Sequence, residues 1–304
     1  MNRPSQLHRL RRSLHFVPGA NEAMLHKSIA THADCLILDL EDAVTPDGKE
    51  EARNTISDWL VKADFQGKER CVRINALDTP WALEDLEVVM RFPPEAIVVP
   101  KVSTLAEIES VAQEIGRLET VYGHPPMSVG LILVSTETPT GALQVSTFAD
   151  CARVVGMTWG AEDLASSLGA TANRDANNRY LPLFEYCRSM TLLSAAAGGV
   201  QPIDSVYVDY GDDDGLLEEC QLAATMGFTG KLTIHPNQID IVNAAFSPSA
   251  ADVADAQRLI AAFEDARAVG RMAFSFEGKM VDAPHLDQAR KLLARAEQVR
   301  LQTR

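Results

Sequence analysis

Eight short apolar runs punctuate the chain, each bounded by turn-forming or charged residues. They are LHFVPG (14–19), CLILDLE (35–41), CVRIN (71–75), AIVVPK (96–101), SVGLILVSTE (128–137), RVVGMTWG (153–160), SVYVD (205–209) and KLTIHP (231–236). Most are apolar at consecutive positions and rich in Val, Ile and Leu, the pattern of parallel strands covered on both faces. Between the runs the period becomes helical. In STLAEIESVAQEIGRL, Thr104 and Glu107 have capping-box spacing, and Ile108, Val111, Ala112, Ile115 and Leu118 share one face. Ala52, Ile56, Trp59, Leu60 and Ala63 make a similar stripe ahead of CVRIN. Both stripes read as core faces. Strands alternating with helices in this number predict an α/β protein, a (β/α)8 TIM barrel. A doubly wound open sheet would present a glycine-rich GxGxxG turn after its first strand, and VPGANEAM has a single glycine there.

Beyond the eighth run, residues 250–269 read as a helix, 271–284 (RMAFSFEGKMVDAP) as a loop and 285–302 as a last helix. The expected organisation is a catalytic barrel over residues 1–245 and a C-terminal helical extension over 246–304 carrying a lid loop. A long loop after a closed barrel suits a lid or a contact with a neighbouring subunit.

Composition narrows the function classes. The formal net charge of −14 argues against a nucleic-acid partner, which needs basic surface. No apolar run approaches the ~20 residues of a membrane span, and the basic N-terminus lacks the apolar stretch of a signal peptide. The five cysteines are far apart and form no CxxC pair, so buried free thiols in a reducing, cytoplasmic setting are expected.

Barrel enzymes place their chemistry at the C-terminal ends of the strands. Reading the run ends gives Asp39, Glu41 and Asp42; Arg73 and Asn75; Lys101; Glu137; Trp159 and Gly160, then Glu162 and Asp163; Asp209; and His235. Taken singly, each could be a helix cap or a strand-end ion pair. Together they crowd carboxylates on one rim, which calls for a cation. With no HxH or HExxH motif, oxygen ligands favour Mg2+ over zinc. Mg2+ needs only one or two protein carboxylates, and Glu137 with Asp163 would suffice. Mg2+ beside Arg73 would receive a 2-oxo acid and stabilise charge as an adjacent C–C bond breaks or forms. Spacing alone does not select this chemistry over phosphoryl transfer.

RRSLHFVPG, LDLEDAV, VRIN, VVPKV, STETPTGAL, WGAEDLA, VYVD and GFTGKLTIHPNQ together resemble the citrate lyase β subunit family, within the HpcH/HpaI aldolase/citrate lyase superfamily. The resemblance implies that Glu137 and Asp163 bind Mg2+, with Mn2+ as a substitute, and that Arg73 binds substrate. MVDAP is similar to a motif of free-standing citramalyl-CoA and malyl-CoA lyases. It implies that Asp282 enters the active site of a neighbouring subunit as catalytic acid or base, within a homotrimer or a multiple of one. Phe16 and Lys27 match positions that contact coenzyme A, which is part of the substrate. A second basic residue of the family's helix is Ala23 here, and Ser135 and Thr136 replace the usual apolar pair before the glutamate. The implied activity is cleavage of a 3-hydroxyacyl-CoA to an acetyl-CoA-type thioester and a 2-oxo acid. The alternatives are a class II aldolase of free 2-oxo acids, a malate or citramalate synthase, a thioesterase, or a silent CoA-binding barrel. The free-acid aldolases use a histidine in a D-x-E-H segment, where this chain has Leu40–Glu41–Asp42–Ala43.

Overall fold

The computed structural model describes residues 4, 9–268 and 270–302. They fall into two compact units, Met1–Asn243 and Ala244–Arg304. In the first, eight parallel strands close into a barrel in sequence order: β1 (Ser13–Pro18), β2 (Cys35–Asp39), β3 (Glu69–Arg73), β4 (Ala96–Val99), β5 (Gly130–Val134), β6 (Val154–Thr158), β7 (Gln201–Asp204) and β8 (Gly230–Thr233). The strands are buried on both faces, as consecutive apolar positions require. Alternate residues such as Leu14, Ile37, Val98, Ile132, Ile203 and Leu232 fill the interior. The intervening residues pack outward against helices α1 (Glu22–Ile29), α2 (Lys49–Lys62), α3 (Ala82–Val89) and α4 (Leu105–Tyr122). The capping box expected at Thr104 and Glu107 is present, with both reciprocal bonds formed. The ring continues through α5 (Pro139–Gln144), α6 (Ala161–Leu168), α7 (Pro182–Gly198) and α8 (Asp213–Met226) to α9 (Gln238–Ala245), within which the unit boundary falls.

Closure depends on a close approach at the start of β8. A Cβ on Gly230 would lie 1.9 Å from the Arg11 carbonyl oxygen, so only glycine lets β8 meet the chain entering β1. The same end of the barrel carries buried ion pairs. Arg11 grips Glu69 through two 2.7 Å bonds, and Arg12 binds Asp34 at 2.8 and 2.9 Å. A second buried network faces the helices behind β7 and β8. There Asp204 accepts from Lys231 (2.9 Å), Arg188 (3.0 and 3.1 Å) and the Trp159 indole (2.8 Å). Burial works against the Lys231 charge, but Asp204 and Glu219 outweigh it and hold the ammonium pKa above its ordinary value.

Two expectations are corrected. The seventh strand is Gln201–Asp204, not SVYVD, which forms the loop after it. Pro202 weakens the strand reading of VQPID because it lacks an N–H, yet its carbonyl still accepts from Thr229 N at 2.8 Å. The pairing with β6 is short, covering Gly156↔Gln201 and Met157↔Pro202, so one missing donor is tolerated. Next, the C-terminal loop holds a hairpin, β9 (Phe274–Phe276) and β10 (Lys279–Val281). Glu277 and Gly278, both at positive φ, make the two-residue turn between them. Phe274 meets Phe263 edge-on at 5.9 Å inside its own unit, and Met280 is exposed. Helix α10 (Ala250–Ala268) precedes the hairpin and α11 (Ala283–Gln302) follows it. Val269, the last residue expected in the earlier helix, lies outside the described residues.

Candidate active site at the barrel mouth

Asp39, the last residue of β2, receives Arg73, the last residue of β3, as a two-pronged fork. Nε and Nη2 donate to its two oxygens at 2.7 Å each. The register pairs these residues directly, so the fork follows from strand alignment. Arg73 Nη1 also lies 2.8 Å from Glu41 Oε2, without hydrogen-bond alignment. The guanidinium carbon sits 4.6 Å from the centroid of the Phe16 ring. Burial opposes its charge, but Asp39 and Glu41 more than compensate, so Arg73 stays cationic.

Glu137 follows β5 and is buried. Its Oε2 accepts from the Lys101 backbone N–H at 2.6 Å. Thr138 caps α5 by accepting from Gly141 N, which fixes the chain direction immediately after Glu137. Asp163 sits in the first turn of α6, half-buried, with Lys101 Nζ 3.3 Å from its Oδ1. The Lys101 ammonium also meets Glu41 Oε1 at 2.5 Å and Asp42 Oδ1 at 3.5 Å. Gly160 makes room for the Glu137 side chain, since a Cβ there would lie 2.5 Å from Glu137 Cγ.

These groups fit a divalent cation. All donors are oxygens, and an ammonium already bridges Glu41, Asp42 and Asp163 where a cation would be needed. Burial, then repulsion from Asp163 and Glu41, pushes the Glu137 carboxyl well above its ordinary pKa. That is the behaviour of a carboxylate whose charge is under-compensated. Glu137 and Asp163 could therefore hold Mg2+. Cys35, Glu69 and Cys71 also lie close enough together to hold a metal ion. However, Arg11 already engages both Glu69 oxygens, and burial pushes both thiols up in pKa. All five cysteines are free and buried.

Phe16 and Lys27 come together on the wall of a cavity of about 290 Å³ beside Asp39, with His15, Met24 and His235. His15, missed in the sequence, is buried in β1 with Nδ1 3.1 Å from Thr233 Oγ1. Its only signal was a polar residue within an apolar run. Burial, with His235 adding repulsion, lowers its pKa to about 4. His235 itself stacks on Tyr210 at 5.0 Å.

The other rim candidates have structural partners. Asn75 binds Asp85, Glu162 accepts from Asn173, Asp209 accepts from Gly211 N, and Trp159 turns away to Asp204. A larger cavity, about 450 Å³, lies between the α6–α7 connection and α8, lined by Tyr180, Arg188, Tyr207 and Glu219, and contains none of the rim acids. In the second unit Asp282 immediately precedes α11, and its carboxylate lies 2.6 Å from His285 Nδ1.

A closed parallel barrel with acids, an arginine and a lysine gathered at its mouth is an arrangement that metal-assisted barrel enzymes use. The signature described as HpcH/HpaI aldolase/citrate lyase matches residues 12–236, and the chain belongs to this family. It is 38% identical to the (3S)-malyl-CoA thioesterase of Cereibacter sphaeroides, covering 95% of each chain. It is 36% identical to citrate lyase subunit beta of Escherichia coli (95% of this chain, 94% of that one). It is also 36% identical to mitochondrial citramalyl-CoA lyase of Rattus norvegicus (95% and 87%). Among solved structures, CitE from Mycobacterium tuberculosis in complex with magnesium, acetoacetate and coenzyme A aligns with a TM-score of 0.79. That match has 35% identity and covers 95% of this chain and 98% of the other. Among the described residues, no helix is long and apolar enough to cross a membrane.

Proposed function

We propose that this chain is a Mg2+-dependent carbon–carbon lyase of coenzyme A thioesters. It splits a 3-hydroxyacyl-CoA such as citramalyl-CoA or malyl-CoA into an acetyl-CoA-type thioester and a 2-oxo acid. The observation that carries this reading is that Lys101 links the three candidates: its N–H donates to Glu137, its ammonium lies 3.3 Å from Asp163, and it shares Glu41 with Arg73. The relatives support it, since they include a citramalyl-CoA lyase and a magnesium, acetoacetate and coenzyme A complex.

Glu137 and Asp163 would hold Mg2+, which would supply a Lewis acid where negative charge develops during cleavage. Arg73 spends two of its donors on Asp39, which orients the fork and leaves N–H groups for the carboxylate of the 2-oxo acid. The cavity walled by Phe16 and Lys27 takes the coenzyme A arm, with an apolar surface and an ammonium for phosphate. In cleavage the substrate hydroxyl loses its proton, the C–C electron pair passes to the thioester α-carbon, and that carbon gains a proton. Asp282 of a neighbouring subunit moves the proton, in a cytoplasmic homotrimer or a multiple of one.

The test is incubation of the full chain with Mg2+ and citramalyl-, malyl-, methylmalyl- and hydroxymethylglutaryl-CoA, with products identified by mass spectrometry. A shorter acyl-CoA plus a 2-oxo acid is expected for at least one substrate. Free CoA plus the intact hydroxy acid would assign a thioesterase, the activity named for the Cereibacter relative. No turnover of any of the four would also overturn the proposal.

A further inference from the structure

Lys101 has φ +53°, a left-handed backbone conformation costly to any residue with a Cβ. The turn has a local consequence. It aims the Lys101 N–H at Glu137 Oε2 (2.6 Å) and sends the side chain across the barrel mouth. There the ammonium meets Glu41 Oε1 at 2.5 Å, Asp163 Oδ1 at 3.3 Å and Asp42 Oδ1 at 3.5 Å. One residue thus engages both members of the candidate metal pair, Glu137 through its backbone and Asp163 through its charge. A lysine serving only solubility needs neither the strained turn nor contacts with acids from separate strand ends. Arg73 also lies by Glu41 (2.8 Å) and Asp42 (3.7 Å), but its fork is held by Asp39, and it is Lys101 that lies by Asp163.

We infer that Lys101 is an internal counter-ion that competes with the metal. Its ammonium holds Asp163 while the metal is away, and its backbone amide keeps Glu137 aimed at the site. Divalent-cation binding moves the ammonium off Asp163 toward Glu41 and Asp42. The inference rests on the reading of Glu137 and Asp163 as metal ligands. It adds that metal affinity is set by displacement of a resident charge, not by the two carboxylates alone. Lys101 is a positioning residue in this account; it need not touch the substrate.

The test measures metal binding directly, by calorimetry with Mg2+ and by electron paramagnetic resonance with Mn2+, on the full chain at fixed pH and ionic strength. Lys101→Met keeps most of the stem and loses the charge. Lys101→Gly also removes the charge and tolerates the left-handed turn, and Lys101→Arg keeps the charge. Both neutral variants should bind about tenfold or more tightly than wild type, while the arginine variant stays within about threefold. A merely structural lysine would not give tighter binding on removal. Unchanged or weaker affinity in folded Lys101→Met and Lys101→Gly overturns the inference, and so does failure of both variants to fold, which would make Lys101 a scaffold residue. Glu137→Gln and Asp163→Asn are the controls, each expected to abolish binding. If wild type binds no Mg2+, or if binding survives both controls, the metal pair itself is wrong and the inference falls with it. If the controls behave and the neutral lysine variants do not tighten, the inference alone fails.

Discussion

Among single residues, Gly160 gives the sharpest constraint on the candidate site. It has no unusual backbone angle, and its importance is the space it leaves. An alanine Cβ would sit 2.5 Å from Glu137 Cγ and 3.0 Å from Oε1, so the carboxylate must shift or the α6 entrance must move. Gly160→Ala should therefore weaken Mg2+ binding by about tenfold or more and cost about 1–3 kcal/mol of stability, the usual range for overpacking. A magnesium titration alongside urea denaturation checks both, and wild-type affinity in this variant would remove the steric argument. The positions of the candidate residues were legible in the sequence. Arg73 ends β3, Glu137 follows β5 and Asp163 sits in the first turn of α6, all on the side where barrel chemistry is found, and the motif resemblance named all three as candidates. Their partners were less legible. Nothing in the local sequence says that Arg73 is held by Asp39 at 2.7 Å, because that fork depends on which residues the β2–β3 register brings opposite each other. The same holds for Lys101, whose reach over three acids depends on a positive φ that lysine rarely adopts.

Among elements, the β1–β8 seam ties fold to pH. His15 on β1 is buried against Thr233 on β8, and its pKa is lowered to about 4 from an ordinary 6.5. Below pH 6.5 the unfolded chain binds a proton that the folded chain refuses until about pH 4. The unfolded state then holds more protons, so stability falls as pH drops across that window and levels off below it. The contribution is on the order of 3 kcal/mol. Urea denaturation of wild type and His15→Asn between pH 7.5 and 4, in roughly half-unit steps, should show the two curves differing in slope only inside this window. Parallel curves would mean that the histidine is not held neutral. Strand existence was readable from apolar runs, and seven of the eight runs overlap the observed strands. The seventh failed because SVYVD has strand composition while VQPID carries a proline. Composition favoured the wrong segment, and a short two-pair contact with β6 accommodated the right one. The hairpin at 274–281 failed for a different reason. Its strands are three residues each, too short to show alternation, and its turn uses Glu277 at positive φ instead of an Asn-Gly or Asp-Gly signal.

At the scale of the whole molecule, the barrel unit carries the candidate metal pair and the second unit carries Asp282. Cleavage needs a group to move a proton, and Asp39, Glu41, Asp42 and Asp163 are engaged by Arg73 and Lys101. If Asp282 serves the site of a neighbouring subunit, two inactive variants with different lesions should rescue each other. Asp282→Ala co-assembled with Glu137→Ala should regain part of the wild-type rate, because some mixed interfaces contain one intact copy of each residue. Verified mixed oligomers without activity would remove the shared-site proposal, as would a fully active monomer. Work of this kind benefits from the placement of the cysteines. All five are free thiols enclosed by packed side chains. A cysteine introduced on an exposed turn would therefore be the fast-reacting thiol of the folded chain. A maleimide dye or nitroxide would attach there without prior removal of the native sulfurs, and the natural chain can serve directly as the background for fluorescence or spin-label spectroscopy.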